Sequence, residues 1–287
     1  MADKNTEIQK KTINVKGQLI DFKTPRIMGV LNITPDSFFA GSRIAGAEEA
    51  IRKAEQMLKE GADFIDLGAY SSRPGAADIS ESEEAKRLLP VVKGLVKEFP
   101  SAILSVDTFR SSVAKAAIAE GAHIINDISA AELDPEMIPT VARLKVPYII
   151  MHMKGTPQTM KQQAQYSNVA SEVIQYLAAR VVHLKDAGIY DIIVDPGFGF
   201  AKTIEHNFEI LRQLELFKLV GVPLLAGLSR KSMIWKTLDI PNDKALNGTT
   251  VLNTIALIKG ANILRVHDVA PALEAIRLVE KMRSAGV

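Results

Sequence analysis

The chain has 287 residues, 47% of them hydrophobic, with 35 Lys and Arg against 33 Asp and Glu for a net charge of +2. That is ample for a large core, and with no dense basic run it excludes a general nucleic-acid surface. No cysteine occurs, which excludes disulfides, thiolate nucleophiles and cysteine-type zinc sites.

The first residues, MADKNTEIQKKT, are polar and lack the apolar stretch of a secretory signal. No apolar run reaches the roughly 18 residues that span a bilayer. A cytoplasmic protein with no membrane partner is expected. Residues 1–26 read as an extension carrying a hairpin over 13–20 that turns at Lys16-Gly17 and plugs the N-terminal end of the domain over 27–287.

The next element is an apolar run over residues 27–33. A helix over 47–60 then sets Ile51, Ala54, Met57 and Leu58 on one face and stops at Gly61. A second apolar run covers 64–67, and Ser80 with Glu83 forms a capping box for the helix after it. Further runs over 103–106, 124–128, 148–151, 192–194, 223–225 and 263–266 alternate with helical patterns over 111–119, 135–144, 169–187, 204–219, 245–259 and 271–284. A short helix begins near 232–237. The runs do not alternate polar with apolar, which marks strands buried on both faces of a parallel sheet. Eight such strands alternating with helices predict an α/β fold, a single (β/α)8 TIM barrel over 27–287; a doubly wound open sheet is the competing architecture.

Each apolar run ends in polar residues. In chain order these are Asn32; Asp66, leading to Ser71-Ser72-Arg73-Pro74-Gly75; Asp107-Thr108; Asn126-Asp127; His152; Asp195-Pro196-Gly197; Ser229-Arg230-Lys231-Ser232; and Arg265, His267 and Asp268. A lone Asp or Asn before a helix is often only an N-cap. Eight at once fit the active-site rim of a barrel, where the βα loops converge. Asp107, Asn126 and Asp195 offer acceptors for a flat heterocycle with several N–H groups. Arg73, Lys231, Arg265 and His267 suit a phosphate-like anion. Asn32 offers a neutral oxygen to a hard cation such as Mg²⁺ travelling with that anion. His152 is read as a packed barrel histidine, and Arg230 as a partner for a structural carboxylate.

The segments MGVLNITPDSF (28–38), SSRPGA (71–76), SVDT (105–108), INDIS (125–129), MHMKGTPQTM (151–160), DPGFGF (195–200), GLSRKSMI (227–234) and RVHDV (265–269) together resemble the dihydropteroate synthase family. The resemblance implies a barrel, usually homodimeric, that condenses 6-hydroxymethyl-7,8-dihydropterin pyrophosphate with 4-aminobenzoate to give 7,8-dihydropteroate and pyrophosphate. By the same resemblance, Asp107, Asn126, Met151, Asp195, Phe200, Gly227 and Lys231 line the pterin pocket. Asn32, through Mg²⁺, with Arg73, Arg265 and His267 holds the pyrophosphate. Phe38, Arg73, Pro74, Lys231 and Ser232 form the aminobenzoate pocket. Asp107, Asp195, Lys231, Arg265 and His267 carry the chemistry.

Two loops depart from the family pattern. TPDSFFAGS stands where the family has TPDSFSDGG, placing Phe39 and Ala40 at Ser and Asp positions. GAYSSRPGA stands where it has GGESTRPGA, placing Tyr70 and Ser72 at Glu and Thr positions. Two readings stand: tolerated differences between lineages, the favoured one, or loops that pack through Phe39 and Tyr70 instead of a polar network. Two other functions compete: a pterin-binding methyltransferase barrel, which would share the ring-binding Asp and Asn but not the anion set, and a catalytically silent binding subunit.

Overall fold

The computed structural model describes residues 12–33, 43–71 and 78–285. A hairpin of β1 (Thr12–Val15) and β2 (Gln18–Asp21) precedes eight parallel strands. These are β3 (Arg26–Asn32), β4 (Phe64–Gly68), β5 (Ile103–Asp107), β6 (Ile124–Asp127), β7 (Tyr148–Met151), β8 (Ile192–Asp195), β9 (Leu225–Ala226) and β10 (Ile263–Val266). Helices alternate with them: α1 (Arg43–Glu60), α2 (Glu81–Glu98), α3 (Ser111–Ala119), α4 (Met137–Leu144), α5 (Val169–Asp186) and α6 (Ile204–Arg212). After β9 come α7 (Ser232–Thr237) and α8 (Leu246–Ile258), and after β10 comes α9 (Val269–Ser284).

The strand order is β8-β7-β6-β5-β4-β3-β10-β9. Val194 on β8 bridges Leu224 in parallel, and its N–H donates to Pro223 O at 2.9 Å. The sheet therefore comes round to a nearly closed ring in sequential order. A doubly wound sheet would reverse its strand order at a switch point, and this one does not.

Side chains on a strand alternate between its two faces, and in a ring one face looks inward and the other toward the helices. Ile27, Leu31, Ile65, Leu67, Leu104, Val106, Ile150, Val194 and Leu264 pack outward with the helices in the main core. Met28, Phe64, Ile124, Ile149, Ile193, Leu225 and Ile263, near the strand starts, form a second cluster with Ile13, Val15 and Phe22 of the N-terminal segment. Both faces are thus buried, which is why the strands read as continuous apolar runs. The hairpin closes the N-terminal end, as its sequence predicted, and its turn falls at Lys16 (φ +49°) and Gly17 (φ +86°).

Three elements differ from expectation. The helix expected over 204–219 stops at Arg212, and Leu214–Val220 is a 3₁₀ helix. Leu211, Leu214, Phe217 and Val220 are all buried, and their three-residue spacing keeps one face inward only if the turn tightens to three residues. The strand expected over 223–225 pairs at Leu225–Ala226, because the preceding residues instead make the bridge to β8. In the expected capping box, Ser80 Oγ does accept from Glu83 N at 3.2 Å, while Glu83 Oε1 accepts from Arg87 Nε at 2.7 Å.

Candidate active site

Two or four residues beyond the apolar inward layer, the same inward faces turn polar. Phe64 is followed by Asp66, Ile103 by Ser105 and Asp107, and Ile124 by Asn126. Ile149 is followed by Met151, Ile193 by Asp195, Leu225 by Gly227 and Ile263 by Arg265. The apolar layer is the floor of a pocket, and the polar residues are its lining at the C-terminal rim. Neighbours in sequence split across the sheet. Asn126 faces inward, whereas Asp127 accepts from Tyr148 Oη at 2.6 Å, Ser129 N at 2.7 Å and Ala131 N at 2.7 Å in a buried structural network.

One side of the lining is organised by Asp66. Its Oδ2 accepts from Arg265 Nε at 2.7 Å and from Asn126 Nδ2 at 3.0 Å. Arg265 Nη2 donates to Asp107 Oδ2 at 2.9 Å. A carboxylate only accepts, so the amide nitrogen of Asn126 must face Asp66 and its carbonyl oxygen turns away. Asp66 is fully buried, and its Oδ1 has no hydrogen-bond partner. Burial pushes the Asp107 carboxyl up to about 7; the Arg265 guanidinium opposes this, while Asp66, Glu84 and Asp127 reinforce it.

The other side is built on Asp195 and Lys231. Asp195 Oδ1 accepts from Gly197 N at 2.7 Å. Burial raises the Asp195 carboxyl, with the Lys231 charge opposing. Lys231 Nζ donates to Phe198 O and lies 5.0 Å from the Phe200 ring centre. Burial lowers its ammonium to about 8, against the pull of Asp195. A side-chain carbon added at Gly227 would lie 3.6 Å from Asp195 Oδ2, 3.8 Å from Lys231 Nζ and 4.0 Å from Arg265 Cβ. Glycine there keeps open the space on which these three groups converge. Met151 and Phe200 share an apolar cluster with Ile128, Met153, Met160 and Ala201 beside it.

Of the residues expected to bind an anion and its cation, the described ones, Asn32, Lys231, Arg265 and His267, stand on the same rim. Asn32 Oδ1 comes within 3.8 Å of the position a side-chain carbon would take on Gly68, as does Asp107 Oδ2. His267 Nδ1 lies 3.0 Å from Ser229 Oγ, which accepts from the His267 N–H at 3.2 Å. Ser232 opens α7 directly after Lys231. Arg230 is turned away and paired with Asp268 through two 2.8 Å hydrogen bonds, the structural role read from its sequence context. Phe38, Phe39, Ala40, Ser72, Arg73 and Pro74 lie outside the described residues. The Tyr70 ring meets Phe109 edge-on at 5.0 Å and Arg110 at 5.4 Å, and its hydroxyl accepts from Gln158 Nε2 at 2.9 Å, so this side chain makes polar as well as apolar contacts.

The sequence places Asp66 among the rim residues but gives it no ligand or partner, and it does not single out Lys202. A carboxylate inside the apolar run FIDLG was the signal for the first. The second sits after DPGFGF with no sequence sign of burial, yet its Nζ reaches His152 Nδ1 at 3.0 Å and Gly197 O at 3.0 Å. His152 is buried at the end of β7 and packs edge-on to Tyr176 at 5.0 Å, as a core histidine should.

Comparison with known proteins agrees with this geometry. A family model described as pterin binding enzyme matches residues 28–267. The dihydropteroate synthase of Escherichia coli K12 is 40% identical over 272 residues, covering 94% of this chain and 96% of that protein. A Yersinia pestis dihydropteroate synthase solved with a sulfonamide drug superposes with a TM-score of 0.89 at 38% identity, covering 96% of this chain and all of that one. A Xanthomonas albilineans dihydropteroate synthase in complex with 7,8-dihydropteroate does so with a TM-score of 0.86 at 34% identity, over 96% and 99% of the two chains. With the pocket, the family model and relatives matched over nearly their whole length in agreement, this chain belongs to the dihydropteroate synthase family.

Proposed function

We propose that this chain condenses 6-hydroxymethyl-7,8-dihydropterin pyrophosphate with 4-aminobenzoate, forming 7,8-dihydropteroate and releasing pyrophosphate. The observation that carries the reading is the convergence of Asp195, Lys231 and Arg265 on the space beside Gly227, with Asp107 hydrogen-bonded to Arg265, Asn126 joined to it through Asp66, and His267 following on the same strand end. The acceptors suit the N–H groups of the pterin edge, and the Asn126 carbonyl oxygen is one of them. Phe200 and Met151 supply apolar surface for the ring faces. Phe38, Arg73, Pro74 and Ser232, with Lys231, complete the aminobenzoate pocket, and Arg73 adds charge for the pyrophosphate. The catalytic domain is residues 27–287, with 1–26 as its extension.

Arg265 and His267 receive the charge of the departing pyrophosphate. Loss of that group leaves a cation at the pterin methylene, delocalised into the ring. Asp195, which is buried, and Asp107, which is partly so, stabilise it electrostatically, and the aminobenzoate nitrogen then attacks and gives up its proton to solvent. The route is SN1-like and forms no covalent bond to the enzyme.

Among the described residues no cluster of three or more His, Asp or Glu forms a cage for a cation. Asn32 Oδ1 beside Asp107 offers a single neutral oxygen, which fits Mg²⁺ carried by a pyrophosphate, an ion that keeps most of its other ligands as water and phosphate oxygens. Bound there, Mg²⁺ would neutralise leaving-group charge.

We infer a homodimer from the apolar side chains on the late helices. Val251, Ile258, Leu278 and Met282 are at least half exposed. Leu252 and Leu257 of α8 point the other way and are buried in the core. No described helix is long and apolar enough to cross a membrane, in keeping with a cytoplasmic enzyme.

The test is a pyrophosphate-release assay with both substrates. Release that requires the pterin substrate and yields dihydropteroate supports the reading; no release sinks it. In single turnover, the SN1-like route predicts cleavage at a rate independent of aminobenzoate concentration. A first-order dependence would replace it with direct displacement.

A further inference from the structure

Lys202 is a half-buried charged side chain that the proposed chemistry leaves unused. It closes the loop that leaves β8 at Asp195. Along that loop Gly197 (φ +73°), Gly199 (φ +81°) and Ala201 (φ +49°) take left-handed backbone at alternate positions. The result is a tight curl with carbonyls turned toward a common centre, and Lys202 Nζ occupies it. It lies 3.0 Å from Gly197 O, 3.0 Å from Phe200 O, 3.3 Å from His152 O and 3.0 Å from His152 Nδ1. The same loop supplies the Gly197 N–H that holds Asp195 and the Phe198 carbonyl that holds Lys231. No larger residue fits at Gly197, where a side-chain carbon would stand 2.1 Å from His152 O.

We propose that Lys202 is a positioning residue for the pterin pocket. Its ammonium draws Gly197, Phe200 and His152 onto one point, and so fixes the curl that presents Asp195, Phe200 and the Phe198 carbonyl to the ring. This rests on the pterin reading of the site given above.

Burial, reinforced by the Lys231 and Lys154 charges, holds the Lys202 ammonium well below its ordinary value, and the Asp195 carboxylate opposes this. The hydrogen-bond geometry calls for the charged form: a neutral amine would turn a lone pair toward groups that can only accept. His152 completes the set as an acceptor. Burial, with the Lys202 and Lys154 charges, holds its ring neutral down to about 2, so Nδ1 carries the lone pair and Nε2 the proton. Without the ammonium, three carbonyl oxygens would face one another with no donor between them, a costly arrangement in a buried site.

The absence of cysteine makes a chemical test available. Lys202→Cys introduces a single thiol. Alkylation in denaturant with 2-bromoethylamine, followed by refolding, rebuilds a side chain of lysine's length bearing an ammonium. Alkylation with 2-bromoethanol gives a neutral side chain of the same size. Binding of 6-hydroxymethylpterin is measured by calorimetry on the parent chain, refolded in parallel, and on each variant.

The unmodified cysteine variant is expected to lose about ten-fold or more in pterin affinity. The aminoethyl form should recover to within about three-fold of the parent, and the hydroxyethyl form should not. Undiminished binding by the cysteine variant, or equal recovery by both alkylated forms, overturns the inference. Should the cysteine chain not refold, the two alkylated forms decide alone. A parent chain that binds no pterin overturns the pterin reading and the inference with it, whereas a parent that binds beside equally competent variants overturns the inference only.

Discussion

Single residues at the rim carry opposed electrostatic demands, and these set an expected pH dependence. Asp107 must be ionised to stabilise a ring cation, and Lys231 must be protonated to donate. Burial has brought the two close together, at about 7 and about 8. In the free enzyme, kcat/KM should therefore rise with pH as Asp107 loses its proton near 7 and fall as Lys231 loses its own near 8, a narrow bell. Lys231→Met should lower activity and abolish the falling limb. A limb that persists in that variant assigns it to another group. Asp66 adds a second expectation. The Oδ of an asparagine can still accept from both Arg265 and Asn126, so Asp66→Asn should keep the geometry. It removes one negative charge facing Asp107, while Arg265, Glu84 and Asp127 remain. The rising limb should then move to lower pH, which a kcat/KM profile reads directly. The strand-end residues Asp107, Asn126, Asp195 and Arg265 could be picked out from sequence because polar side chains are conspicuous after apolar runs. Lys202 could not, because its burial depends on a loop curl that no linear pattern encodes.

At the scale of elements, strand identity and strand face have different legibility. A strand buried on both sides shows that it is a strand, but its composition hides which residues look inward. That face emerges only when the ring closes and Phe64, Ile124 and Ile193 meet Ile13 and Val15 of the hairpin. The helix expected over 204–219 failed for a related reason, since its apolar spacing shifts from an α to a 3₁₀ repeat within one stretch. Two consequences are testable. Ile13 is fully buried at the floor, so Ile13→Ala should destabilise by roughly 2–5 kcal/mol in denaturant unfolding. Its kcat and KM at 25 °C should stay near those of the parent, because the rim lies at the other end of the strands. Gly197→Ala should fail differently. Its added carbon meets the His152 carbonyl, and the left-handed backbone penalises any side chain. Loss of pterin binding at near-parental secondary structure, seen by circular dichroism and calorimetry, is the expected outcome.

Across the whole molecule, the barrel separates a floor that holds the ring together from a rim that grips ligand. One chain can then tolerate a polar, charge-dense pocket, because the burial that stabilises it is concentrated elsewhere: outward on the helices and inward at the hairpin end. This separation predicts additivity between the two ends. A pterin at about a hundred times its dissociation constant should stabilise the folded chain by about 2.7 kcal/mol, whatever the state of the floor. Ile13→Ala should therefore unfold at a lower temperature than the parent, yet show the same ligand-induced rise in Tm. Asp195→Ala should retain most of the parental Tm and lose most of that rise. Differential scanning calorimetry of the three chains, with and without 6-hydroxymethylpterin, would decide it. A rise in Tm that shrinks in Ile13→Ala would show that the hairpin reaches the pocket through the barrel, and that floor and rim form one cooperative unit.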